Sequence, residues 1–239
     1  MAITVGNTAV SAALAGGTST TLSLNNNKTD VIVAVAIRDT RTAATVTAAY
    51  GGDSMTADIT RLRVDGDSTE DLRVYIFRKT GAKTGANNIV ITADSAVEYW
   101  AVLGIAVGGL AASGQPDTTG GADADHTAEV SSTTDIVTTA TNSICVDCLY
   151  SKSGNNFTAD SGQTIVGQVL VNGGSDRALM GYKIVASGGA KNSSYTEAEH
   201  DDWCMVSAAY AFAPSSGSLV GDSVLVGKRV LVGKSSLVG

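Results

Sequence analysis

The chain has 239 residues, of which 16% are charged, with 27 glycines, 2 prolines and a formal net charge of −7. The charged fraction is low against a usual ~25%, and Lys and Arg form no basic stripe, which excludes the electrostatic footprint of a nucleic-acid binder. Long Leu/Glu/Lys/Arg runs at helical spacing are absent and Thr and Val are frequent, so the fold class is all-β, a sandwich or jelly roll.

Short apolar runs separated by Gly, Asn, Asp and Ser clusters predict about twelve strands. In chain order they cover 19–24, 30–37, 44–50, 55–63, 71–79, 88–93, 98–107, 126–131, 143–151, 164–171, 177–186 and 203–212. Strand 71–79 alternates: Leu72, Val74, Ile76 and Arg78 share one face, and Arg73, Tyr75 and Phe77 the other. In strand 30–37, Val31, Val33, Val35 and Ile37 face one way and alanines fill part of the other, as expected of a strand buried on both sides. Two segments, 111–125 and 187–202, read as long loops. The N-terminus, Met1-Ala-Ile-Thr-Val5, lacks a basic region followed by an apolar core, so no signal peptide is expected. The most apolar stretch, 97–110, is too short to span a bilayer.

The sharpest pattern lies at the C-terminal end. Leu-Val-Gly returns four times with a period of six: Leu219-Val220-Gly221, Leu225-Val226-Gly227, Leu231-Val232-Gly233 and Leu237-Val238-Gly239. An even period keeps equivalent residues on one side of an extended chain. The pattern resembles the hexapeptide repeat of left-handed β-helices, in which three hexapeptides make one triangular coil. The tail then holds about one coil, which cannot bury its own apolar face. These twelve residues are therefore the candidate oligomerisation and assembly element. The domain reading is a β-sandwich over 1–213, a hinge at 214–218 and the repeat tail at 219–239.

Cys145 and Cys148 form a C-x2-C within a strand, where their side chains point to opposite faces. With Cys204 and two isolated histidines they supply no zinc set, so buried free thiols are expected, in keeping with a reducing compartment. His126 and His200 sit in acidic segments that match neither an EF-hand nor a nonapeptide calcium repeat. No Gly-x-Ser-x-Gly elbow is present. Asp65-Gly66 reads as a hairpin turn, and the pairs at Gly51, Gly108 and Gly188 read as turn chemistry. Catalytic residues, cofactors and metals are all read as none. The aromatics Tyr75, Phe77, Tyr99, Trp100, Trp203, Tyr210 and Phe212 read mainly as core, with an exposed subset able to stack on a sugar.

The middle of the chain carries a sequence of turn and core patterns. Asp30-Val-Ile-Val-Ala-Val-Ala-Ile-Arg38 is followed by Val46-Thr-Ala-Ala-Tyr-Gly-Gly52 and Met55-Thr56. Then come Leu72-Arg-Val-Tyr-Ile-Phe77, the Gly/Asn turn and strand of Thr80 to Thr92, and Trp100 to Leu110 leading into Gln115-Pro-Asp117. From Asp30 to Phe212 this resembles a family of β-sandwich domains of phage virion proteins and bacterial surface proteins. The resemblance implies a structural or adhesive module without catalytic residues. The expectation is a non-enzymatic virion protein of a tailed phage: a decoration, head-fibre or tail-fibre subunit made in the host cytoplasm. Its partners would be itself, as a homotrimer, and other virion proteins, with no nucleic acid and no membrane. The alternative is a receptor- or glycan-binding module on a fibre or cell surface, with a host-surface glycan as partner.

Overall fold

The computed structural model describes residues 3–12, 14–39, 44–64, 71–124, 131–138, 142–197 and 201–213. The first strands are β1 (Thr4–Val10), β2 (Leu14–Ala15), β3 (Ser19–Asn26), β4 (Asp30–Asp39), β5 (Val46–Tyr50) and β6 (Asp53–Ser54). They are followed by β7 (Thr56–Val64), β8 (Asp71–Lys79), β9 (Gly85–Ala93) and β10 (Tyr99–Gly108). Then come β11 (Thr118–Ala124), β12 (Ser131–Thr138), β13 (Ser143–Ser151) and β14 (Thr158–Ala159). The last are β15 (Thr164–Val171), β16 (Asp176–Val185), β17 (Gly189–Thr196) and β18 (Trp203–Ala211). The all-β class and the sandwich-like packing expected from composition are what the chain adopts.

The described strands build four antiparallel sheets. Their orders are β3-β9-β5-β6, β1-β10-β4-β8-β7 with β2 on β10, β11-β18-β13-β16-β15, and β12-β17-β14. Three apolar layers show how these sheets stack. Val31, Val33, Val35 and Ile37 of β4 pack with Ile89 and Ile91 of β9. The other face of β4, Ile32, Ala34 and Ala36, packs with Ile144, Val146 and Cys148 of β13. Beyond β13, Leu149 joins Leu179, Met205 and Tyr195 of β17. The six-strand and five-strand sheets are thus inner layers and the smaller sheets are outer layers. This explains why every residue of β4 and of β13 is buried. Each is the central strand of a sheet covered on both faces, as the alternation of valine and alanine in β4 predicts. Every fully buried aliphatic side chain there contributes roughly 1.5–3 kcal/mol.

The second half of the chain repeats the first. Leaving aside β2 and β6, each half has eight strands among the described residues, and both place them in the same order. The first strand pairs with the eighth, then the third, sixth and fifth follow (β1-β10-β4-β8-β7 and β11-β18-β13-β16-β15). The second, seventh and fourth strands form the outer sheet (β3-β9-β5 and β12-β17-β14). This is the strand alternation of a jelly roll, except that most of the fifth strand joins the inner sheet. Trp100 opposes Ile37, and Trp203 opposes Ser151. Arg73 opposes Ile37, and Arg177 opposes Ser151, at the same register. Both arginines donate to a carbonyl between the third and fourth strands, Arg73 to Ala44 at 2.7 Å and Arg177 to Gly154 at 2.7 Å.

The halves meet through their inner sheets. β1 packs on β15, while β7 packs on β11 and β18. The first strand of each half therefore lies against the fifth of the other, the reciprocal pattern of a two-fold interface. Its edges carry three ion pairs in which the first half supplies the cation. Arg38 meets Asp176 at 2.6 Å, Arg63 meets Asp202 at 2.9 Å, and Arg61 meets Asp123. Tyr210 adds a hydrogen bond to Asp58 at 2.8 Å, beside Arg78. Thiols also bridge the layers: Cys148 donates to the Val35 carbonyl and Cys204 to that of Arg61.

Four sequence expectations shift. The segments 111–125 and 187–202 hold strands β11 and β17 rather than extended loops. Gly, Thr, Ser and Asp dominate both, because β11 is an edge strand and β17 buries polar groups described below. Strand β1 was not anticipated; it too is an edge, with most side chains in or near solvent. The strand expected at 126–131 falls, apart from Ser131, outside the described residues, and β12 at Ser131–Thr138 was not expected. Asp65-Gly66 lies outside the described residues.

Candidate functional site

The assembly element read from the sequence, from Leu219, Val220 and Gly221 through Leu225, Val226, Gly227, Leu231, Val232 and Gly233 to Leu237, Val238 and Gly239, lies outside the described residues, as does the hinge at 214–218. What is described is the platform from which it departs. After β18, Phe212 forms a bridge with Leu110 and its N–H donates to the Asn142 carbonyl at 3.1 Å. The Ala213 N–H donates to the Gly109 carbonyl at 2.8 Å. Gln115 holds the same point from the side: its amide accepts from the Ala211 N–H at 2.9 Å and donates to the Ala211 carbonyl at 3.2 Å. The chain therefore leaves the body from a rigidly bonded strand end.

A groove of about 540 Å³ opens beside this exit, lined by Thr4, Lys28, Thr84, Gly109 and Phe212 among others. Gly109 has φ +93°, and any Cβ there would collide with the Phe212 ring. Bare backbone lets the ring lie against the groove floor.

The most concentrated chemistry in the described residues is Asp147, in the middle of β13. Its carboxylate is fully buried between the third and fourth layers. It accepts from Ser207 at 2.5 Å, Tyr195 at 2.8 Å and Gln163 at 2.9 Å, with a further bond from Ser193. Burial pushes its pKa up, outweighing these donors. Burial together with the adjacent carboxylate pushes Tyr195 well up as well. The equivalent layer of the first half is apolar: Val33 opposes Gly104 as Asp147 opposes Ser207. Gly181 is the necessary counterpart, since a Cβ there would strike the Tyr195 hydroxyl. With Asp147, Ser193, Tyr195 and Ser207 buried and Gln163 alone partly exposed, the cluster ties two sheets together and its carboxylate is closed to an external substrate.

The other candidates resolve plainly. Cys145, Cys148 and Cys204 are free and buried. Cys145 and Cys148 face different layers, as the i, i+3 spacing predicts. Burial pushes the Cys145 and Cys204 thiols up to about 12, and Cys148 well up too. Among the described residues no group of three or more His, Cys, Asp or Glu could hold a metal ion. His126 and His200 lie outside those residues. Trp100, Trp203, Tyr75, Phe77 and Tyr210 are buried, leaving Tyr99 and Phe212 partly exposed among the aromatics named above.

Neither the repeat nor the Asp147 cluster was anticipated. A signal for the repeat was present: Gly85-Ala-Asn-Asn-Ile-Val-Ile-Thr92 and Gly189-Ala-Lys-Asn-Ser-Ser-Tyr-Thr196 share four of eight residues. Each follows its arginine, Arg73 or Arg177, by twelve positions. Both glycines have positive φ, +85° and +113°. No protein-family model matches this chain, and neither a curated protein nor a solved structure does.

Proposed function

We propose that this chain is a non-enzymatic structural subunit of a tailed-phage virion, a decoration or fibre protein that assembles through residues 219–239. The observation that carries the proposal is the unbroken six-residue Leu-Val-Gly repeat, attached to a β body in which the carboxylate of the Asp147 cluster is fully buried. Four apolar triplets on one chain are a liability unless another surface covers them. A homotrimer would let three tails close a small β-prism, with Leu and Val toward the axis and Lys228, Arg229 and Lys234 in water. The resemblance to virion β-sandwich domains supports the setting.

The test is the solution mass of the full chain against a chain ending at Ser216, by light scattering. A trimer that becomes a monomer on truncation supports the proposal. A full-length monomer whose mass is unaffected by truncation, and which binds no virion protein through the tail, overturns it.

A further inference from the structure

We propose that Leu219 and Val220, the first apolar pair of the tail, seat in the groove beside Gly109 and Phe212 of their own chain. Rooted there, the tail presents its three remaining repeats for assembly; this rests on reading the tail as the assembly element.

Position argues for this occupant. Phe212 is a wall of the groove, and Ala213, the next residue, is bonded to Gly109 on its floor. The chain thus leaves the body at the rim of the groove itself. Five residues, Pro214-Ser-Ser-Gly-Ser218, separate Ala213 from Leu219. Six links of extended chain reach at most about 20 Å, enough to turn back into an adjacent groove. Pro214 and Gly217 are residues that suit such a reversal.

Size and chemistry agree. A volume of about 540 Å³ falls among cavities that hold small apolar ligands, roughly 300–1,000 Å³. The walls are a phenyl ring, glycine backbone, Asn27, the stem of Lys28 and threonine residues, without a carboxylate. An aliphatic pair fits these walls, and Lys28 is the one cationic residue among them. The same chain is favoured over a second copy because so short a tether holds the pair at a millimolar effective concentration. A groove at the root also fixes the direction in which the remaining repeats leave the body.

The experiment uses the full chain carrying Thr84→Cys together with Val220→Cys. Thr84 is exposed, so the substitution leaves the core untouched. The three native thiols are buried and stay protonated, so they do not compete. Oxidation with diamide, read by intact mass and a non-reducing gel, should give an intramolecular disulfide without dimers. A control pairing Thr84→Cys with Val238→Cys should crosslink at least tenfold more slowly. Intermolecular dimers from the first pair, or equal crosslinking by both pairs, overturns the proposal. Light scattering of the chain ending at Ser216 separates the two readings. If truncation leaves the mass unchanged while the Thr84–Val220 crosslink forms, docking stands and tail-driven self-assembly falls. If truncation yields monomers and the crosslink fails, docking falls and assembly stands.

Discussion

Asp147 occupies in the second half of the chain the register position that Val33 occupies in the first. Val33 opposes Gly104 and Phe77 on its neighbouring strands, and Asp147 opposes Ser207 and Gly181. One repeat fills its layer with hydrocarbon. The other fills it with a carboxylate, two serines, a glutamine amide and a tyrosine hydroxyl. Hydrogen bonds are directional, so this layer fixes one alignment of its two sheets at the cost of a buried acid.

The pH dependence of stability should expose that acid. Asp147 is raised above its ordinary value by burial, so the folded chain keeps a proton that the unfolded chain releases near pH ~3.9. The stabilisation is complete below that pH and is lost as pH rises through the folded value. Denaturant midpoints measured from pH 4 upward should show this decline in the wild type, and Asp147→Asn should flatten it. An unchanged slope in the variant would contradict the assignment.

Gly181→Ala should destabilise more than Gly104→Ala. The added methyl at 181 meets the Tyr195 hydroxyl and ring, and the one at 104 meets the movable Cδ1 of Ile89 at 2.8 Å. Overpacking of this kind costs about 1–3 kcal/mol, and at 181 the Tyr195–Asp147 bond is lost as well. Thermal or urea unfolding of the two variants gives the comparison directly.

Asp176→Ala should cost about 3–5 kcal/mol, the usual penalty for removing one partner of a buried pair. Asp176 accepts from Arg38 across the junction of the halves at 2.6 Å and from Tyr150 of its own half at 2.9 Å. Its removal leaves a buried guanidinium short of its carboxylate. Unfolding midpoints by urea check the magnitude; a loss under 1 kcal/mol would mean that the junction does not depend on this pair.

A protease site placed at Ser113-Gly114 should cut the connection between the halves without separating them. The inner sheets bury an apolar layer that includes Ile32, Leu72, Val74, Ile105, Val146, Met180 and Val206, and ion pairs close its edges. After cleavage the two fragments should co-elute on size exclusion and part only in denaturant.

Thiol reactivity should be all or none. With Cys145 and Cys204 pushed up to about 12 and Cys148 raised as well, an aromatic disulfide reagent at about pH 8 should label none of them in the native chain. All three should react after unfolding, counted by absorbance. Rapid labelling of one thiol in the native state would show that its layer opens locally.

The sequence by itself determined the class and most strands. Leu72, Val74 and Ile76 against Tyr75 and Phe77 declared two buried faces, and the Val/Ala alternation of β4 declared a strand covered on both sides. Period-two patterning is local, so it survives without knowledge of the partner. The edge strands β1 and β11 and the central strand β17 escaped this reading because half-exposed positions in the first two and polar-layer positions in the third carry Thr, Ser, Gly and Asp, which also write loops. The repeat was present in Gly85 to Thr92 and Gly189 to Thr196. It is weak there because Ile89 and Ile91 became Ser193 and Tyr195, the very substitutions that build the polar layer. Tertiary structure alone decided that Asp147, Gln163, Ser193, Tyr195 and Ser207 converge, since β13, β15, β17 and β18 are distant in sequence and are joined only by sheet pairing and stacking. It likewise decided that Gly109 and Phe212 flank the point where the chain departs. Convergence of this kind is set by register and layer order, which arise from long-range burial and are not encoded in any single segment.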